Sequence, residues 1–289
     1  MAEQDIALMA HLMRRAGFGA SRAEIEAKAA QGYDSVVQEL LNPETQEAVE
    51  EDLLFRYNPS YYEAAAIENN VQQWVWRMIN SPRQLQEKVA LFWHMIFCAG
   101  HSKIDSGAEM GFMVDLFREE GMGKFDNLLL ALSRNPGMMY YLDNTESHKT
   151  NLNENYGREL LELFSLGVGM DEAFNYSEDD VKACARAFTG WNVAPAYPPF
   201  PHGRSPWNFR FDPADHDTTE KTFLGQTGNW NGEDIIEIIC KQPATARFLA
   251  RHMYNFFVAD EPQIPAWRLT PPRDQAAIEK MEKAYWDSD

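Results

Sequence analysis

The chain has 289 residues, enough to bury a large core and more than the usual single domain of roughly 100 to 150 residues. Its formal net charge is −18, and no run of Lys and Arg offsets this, which argues against nucleic acid and anionic membrane as partners. With 8 Trp, 11 Tyr and 17 Phe the chain is too aromatic for extensive disorder, and no apolar stretch has the ~20 residues of a membrane span or the form of a signal peptide, so the default is a cytoplasmic protein.

The pattern predicts a first helix over 5–16, stopped by Gly17 and Gly19. Ser21 and Glu24 have capping-box spacing for a second. Ser81-Pro82-Arg83-Gln84 reads as an N-cap, a proline at the first helical position and a Gln at the third. The helix it opens carries Leu85, Val89, Phe92, Trp93, Ile96 and Phe97 with an amphipathic period. From Val89 to Cys98 it is apolar on nearly every side, which makes it central and buries His94, a residue that then needs a hydrogen-bond partner. Glu87, His94 and Cys98 share one face, but Glu87 and His94 are seven apart and no HExxH or ExxH occurs, so no metal site is expected. Cys98, Cys184 and Cys240 are far apart and read as buried free thiols.

The stretch 153–163, NENYGRELLEL, packs three acids and one arginine into little more than two helical turns. At 100° per residue Leu160, Leu163, Phe164 and Gly167 gather around Tyr156, while Glu154, Arg158 and Glu162 line the opposite side. Glu159 falls on the border. Two readings stand side by side: ordinary i, i+4 helix electrostatics, or a carboxylate cluster for acid–base work or a hard cation. Glu159 is the first choice for a perturbed carboxyl, because its border position implies partial burial.

Ser177 and Asp180 start a further helix. Between 191 and 232 the helical rhythm stops in an aromatic, Pro-rich insertion that includes Tyr197, Phe200, Pro195, Pro198, Pro199, Pro201 and Pro206. Residues 208–211, NFRF, alternate with period two, and 221–224, KTFL, are expected to pair with them as a small β-hairpin. His216-Asp217 sits at a turn. It is either an Asp-stabilised turn or a pair acting across space with Glu159 or Lys221. No GxSxG occurs, so a serine nucleophile is not expected. Trp191, Trp207 and Trp230 either stack on sugar rings or form the core of the insertion itself. Gln242-Pro243 opens a helix reaching Val258, on which Arg247 and Arg251 are natural counter-ions for the acidic stretch. A surface helix over 278–286 follows. The fold class is all-α, a multi-helix array forming one domain over 1–289, with the irregular insertion 191–232 carrying the hairpin.

Several segments in this order resemble the bacterial family called domain of unknown function 1800: HLMRRAGFG at 11–19, EK at 87–88 with LFWH at 91–94, YLDN at 141–144, the stretch 153–169, AFTGW at 187–191, HD at 216–217, KTFLG at 221–225, GED at 232–234 and PATARF at 243–248. The resemblance implies a predominantly helical fold and genes that neighbour those of an exported, sulfatase-like family. Similar proteins often carry an export signal and continue past the point where this chain ends, so the chain looks like a C-terminally truncated copy. Gly157 stands where the family commonly has Ala.

Two functions follow as expectations. One is a hydrolase of a polar substrate, with carbohydrate a candidate. Glu159 is its acid–base group, and His94, Asp143 and His216 assist. Glu154, Arg158, Glu162, Asn144, Trp191, Asp217 and Lys221 hold the substrate. The other is a non-catalytic partner or assembly protein for the sulfatase-like product, exported with it as a folded complex. The sequence points to no cofactor.

Overall fold

The computed structural model describes residues 3–57, 66–168, 175–194, 207–262 and 270–288. Helices α1 (Glu3–Arg15), α2 (Arg22–Gln31), α3 (Tyr33–Leu41) and α4 (Glu51–Tyr57) come first. The middle of the chain holds α5 (Ile67–Asn80), α6 (Gln84–Ile96), α7 (His101–Ile104), α8 (Gly107–Glu120), α9 (Phe125–Ser133), α10 (Pro136–Tyr141), α11 (Asn155–Glu162) and α12 (Glu178–Ala187). Strands β1 (Trp191–Ala194), β2 (Asn208–Phe211), β3 (Lys221–Phe223) and β4 (Gln226–Gly228) lead into α13 (Gly232–Cys240), α14 (Pro243–Phe257) and α15 (Gln275–Asp287). Among the described residues the fold is therefore helical with two small two-stranded antiparallel sheets, and no described helix is long and apolar enough to cross a membrane.

Local hydrogen-bond rules set many of the boundaries. The Ser21–Glu24 and Ser177–Asp180 capping boxes both form, and Asn231 with Asp234 makes a third at α13. The start of α6 departs from its expected cap. Ser81 Oγ accepts only from Arg83 N–H, at 3.2 Å, and the Gln84 amide donates backward to the carbonyls of Met78 and Ser81. The helix begins at Gln84, so the Ser-Pro pair makes a turn ahead of it rather than its cap.

The core forms around α6, whose Phe92, Trp93 and Phe97 meet Phe117 of α8, Leu128 of α9 and Leu160 of α11. Trp93 stacks on Phe97 and donates to Gly121 O at 2.8 Å. Each such buried side chain contributes about 2 kcal/mol of transfer free energy. α6 is not sheathed on all sides: Met95 and Cys98 are exposed, so Cys98 is no core thiol, while Cys184 is buried and Cys240 partly so. Met9, Met13, Val36 and Leu40 make a smaller cluster beneath α1 and α3. The outer helix α15 seats Ile278 against Ala250 and Tyr254 of α14.

Helix α5 is built inside out. Gln73 and Arg77 are buried, whereas Val71, Val75 and Ile79 are exposed. Its N-terminal turn lies hard against α8 over Gly107 and Gly111. A Cβ at Gly107 would stand 2.9 Å from the backbone of Ala66 and Ile67, and one at Gly111 would stand 2.2 Å from Asn70 Oδ1. Larger residues at either position would push the two helices apart.

The strand pairing differs from the expected hairpin. β2 pairs with β1, Trp191 opposite Phe211, and β3 pairs with β4 across Leu224-Gly225. Both turn residues have positive φ, at 47° and 78°, the conformation of a two-residue hairpin turn. A loop this short brings β4 to β3 with little closure entropy, so β3 takes its sequence neighbour as partner and leaves β2 to β1. Tyr197, Phe200 and the prolines 195, 198, 199, 201 and 206 lie outside the described residues.

Candidate functional site

Helix α11 buries Tyr156, Leu160 and Leu161, and Tyr156 donates to Ser133 Oγ at 2.5 Å. Leu163, expected on this face, is 49% exposed instead. The helix ends at Glu162, and Phe164 N–H bonds to Glu159 O at 3.1 Å, which turns Phe164 inward and Leu163 out. Gly157 has a packing role: its Cβ would lie 3.1 Å from Val181 O and Ala185 N on α12. The acids of this helix divide. Arg158 forks onto both oxygens of Glu178 at 2.7 and 2.8 Å and reaches Glu154 at 3.6 Å. Glu159 makes no side-chain hydrogen bond or ion pair among the described residues. Burial and the charge of Glu162 raise its carboxyl above the usual range against the pull of Arg158. Arg247 and Arg251 do not serve this helix. Arg247 faces Glu282 at 4.0 Å, and Arg251 pairs with Glu261 at 2.7 Å with both side chains fully buried.

A second group of the sequence candidates converges on the corner 189–191. Gly190 sits at φ +79°, and a Cβ there would come 2.6 Å from Asp212 O. His216 Nδ1 bonds to Thr189 O at 2.8 Å, and Asp217 N–H donates to Thr189 Oγ1 at 2.8 Å. The Asp217 carboxylate accepts from Arg186 Nε at 2.7 Å and from Thr219 N–H at 2.9 Å. Lys221, 1% exposed, donates to Asp217 O at 2.5 Å and Thr219 O at 2.9 Å. Burial would raise the Asp217 carboxyl, but Arg186 and Thr219 outweigh it and hold the group well below the carboxylate range. Asn144, itself buried, donates to Trp191 O at 2.9 Å. Trp191 packs edge-on against Phe188 and Phe209. Asp143, in the left-handed region at φ 60°, takes Lys103 at 2.6 Å and Asn155 at 3.4 Å. These motifs fold into a hydrogen-bonded corner. The tryptophans behave as its packing, with Trp207 against Tyr140 and Trp230 bonded to Gln226 O.

Elsewhere the structure opens a cavity of about 240 Å³ between α5, α6, α7 and α8. Ile67, Val71, Met110 and Val114 supply apolar wall. Five side chains that line it each have a buried nitrogen with no hydrogen bond: Asn70 Nδ2, Gln73 Nε2, Trp74 Nε1, His94 Nδ1 and His101 Nε2. Buried polar atoms are almost always paired, and one left unpaired costs about 1 to 3 kcal/mol. Arg77, Asp115 and Arg118 also reach the cavity, and Arg118 is held by Glu87 at 2.7 and 3.1 Å and by Asp115. The His94 ring stands edge-on to Trp74 with centroids 5.0 Å apart, and burial lowers its pKa, so it is neutral near pH 7. His94 is thus half-buried where burial was expected, and its Nδ1 lacks the hydrogen-bond partner that burial called for. Among the described residues no group of three or more His, Cys, Asp or Glu is placed to hold a metal.

Of the four residues expected to act together, His94 lines this cavity, Asp143 and His216 are bonded elsewhere, and Glu159 is not among the lining residues. Asn70, Gln73, Trp74, Arg77 and His101 were not read from the sequence. The signal that could have found the α5 residues is a polar stripe at 70, 73, 74 and 77 with helical spacing. Glu109 was also missed. It is buried at the start of α8, accepts from Trp207 N–H at 2.8 Å, and burial pushes its carboxyl up to about 7.

A family model described as "Protein of unknown function (DUF1800)" matches residues 11–289, and the chain belongs to that family. No curated protein matches the chain, and no solved structure does.

Proposed function

We propose, for this member of a family without an assigned activity, that it binds a compact small molecule in the cavity between α5 and α8. The observation that carries the reading is a cavity of about 240 Å³ with apolar walls, lined by five side chains that each keep a buried nitrogen without a hydrogen bond. Ligand sites are largely preformed and apolar with a few polar groups that fix orientation. A cavity built only for stability would fill that space or pair those atoms. Hydrolysis of a polar substrate, the chemistry expected from the sequence, centres in this reading on His94, a neutral imidazole able to take a proton from water. Glu159, raised by burial yet apart from the cavity, is a remote contributor at most.

Ligand-observed NMR with a fragment library tests the reading on two proteins, the natural chain and Val71→Trp. Val71 lines the cavity yet is half exposed, so the larger ring closes the entrance without loading the core. Fragments that bind the natural chain and fail on the variant support the site. Equal binding to both, or none to either, removes it.

The partner reading has its own observation, the outward apolar row Val71, Val75 and Ile79 on α5. A partner of the sulfatase-like class would cover it. Co-expression with that neighbour should yield a stable complex that Ile79→Lys disperses, and recovery of the two proteins separately from the natural pair would count against it.

A further inference from the structure

What the cavity walls offer an occupant decides its class. The unpaired nitrogens of Asn70, Gln73, Trp74, His94 and His101 are sealed from the space that their side chains line, so none of them is within reach of a molecule inside it. Ile67, Val71, Met110 and Val114 form much of the wall, and the surface that the lining leaves accessible is mainly carbon. Arg118 is already forked onto Glu87 at 2.7 and 3.1 Å and bonded to Asp115, and would have to leave these carboxylates to take up an anion. A charged or strongly polar molecule entering the cavity gives up its hydration and regains few hydrogen bonds. Water is in the same position. It is held firmly only by roughly two to four polar partners, and displacing loosely held water with an apolar group gains affinity. A cavity of about 150 Å³ holds benzene, so about 240 Å³ admits a molecule of roughly ten non-hydrogen atoms.

We propose that the cavity binds a compact, uncharged and mainly apolar molecule, a single ring system whose carbon body lies against Ile67, Val71, Met110 and Val114. This rests on the cavity being a ligand site, as proposed above. Binding is driven by the removal of carbon surface from water, on the ligand and on the wall alike. Val71 lines the cavity and is half exposed, so part of the wall is apolar surface that meets solvent until a ligand covers it. Selection is then by volume and by the absence of charge, not by hydrogen bonds to the buried amides and rings. Any substrate for His94 is thereby limited to uncharged molecules.

Isothermal titration of the full chain with indane, benzamide and benzoate tests the class, since the three match in number of non-hydrogen atoms and differ in polarity and charge. Indane is expected to bind at least tenfold tighter than either of the others and to lose at least tenfold in affinity in Val71→Trp. Because the Gln73 nitrogen is sealed from the cavity, Gln73→Leu is expected to change the indane affinity less than threefold. Benzamide or benzoate binding within tenfold of indane, or a threefold or greater loss of indane affinity in Gln73→Leu, would overturn the assignment. If indane does not bind while polar fragments bind in a Val71→Trp-sensitive manner, the apolar assignment falls and the cavity remains a ligand site. Indane binding that Val71→Trp leaves unchanged lies outside the cavity and removes both proposals. If nothing binds, both fall.

Discussion

Lys221 and Gln73 are almost equally buried, 1% and 5% exposed, and their surroundings are opposite. The ammonium of Lys221 sits between two carbonyls inside a corner where Thr189, Asp217, Thr219 and Arg186 satisfy one another. Gln73 lines a cavity and keeps its amide nitrogen buried without a hydrogen bond, as four other lining side chains do with theirs. A closed polar network stabilises a particular backbone path, and its members are hard to remove singly. An open one is costly unless something arrives to complete it. The contrast separates the two groups of polar residues more sharply than their charge does, since both contain acidic and basic side chains.

The largest effect is expected where the network is closed. Asp217→Ala leaves Arg186 without its carboxylate and strips Thr219 of an acceptor, and should cost about 2 to 3 kcal/mol in urea denaturation at pH 7. Because the Asp217 carboxyl is held below its usual range, its stabilisation is complete above the unfolded value near 3.8 and fades only as pH falls below that. The gap between natural and variant chains should therefore persist at pH 5 and narrow near pH 3. A loss under 0.5 kcal/mol at pH 7 would mean that the corner is not the rigid network its bonds describe.

A smaller effect of opposite sign is expected in the cavity. Gln73→Leu removes an unpaired buried amide and should raise stability by about 1 kcal/mol without ligand, read as a higher urea midpoint with unchanged slope. A destabilisation above 2 kcal/mol would erase the distinction between the two regions and place Gln73 among the structural residues.

Motifs read from the chain divide in the same way. AFTGW at 187–191, HD at 216–217 and KTFLG at 221–225 were legible as special because their residue types are unusual for a helical protein, and they meet in the corner. Their prominence suggested chemistry, and their geometry is that of a fold determinant. The α5 stripe had less prominence. Asn70, Gln73, Trp74 and Arg77 share one helical spacing and Val71, Val75 and Ile79 another, and ordinary hydrophobic partitioning points the valines inward. Gly107 and Gly111 on α8 instead admit the polar side at close range.

By itself the sequence determined what depends on neighbours a few residues away: the helical class, the Ser21 and Ser177 capping boxes, the end of α1 before Gly17, and the amphipathic faces of α6 and α11. These follow from hydrogen bonds and periodicities that close within one or two turns. Tertiary structure alone decided which strand pairs with β2, which face of α5 is buried, that Leu163 turns outward, and that His94 opens on a cavity without a partner. Each of these depends on elements distant in sequence or on how a helix ends, and their pairing energies are set by close approach in space rather than by spacing along the chain.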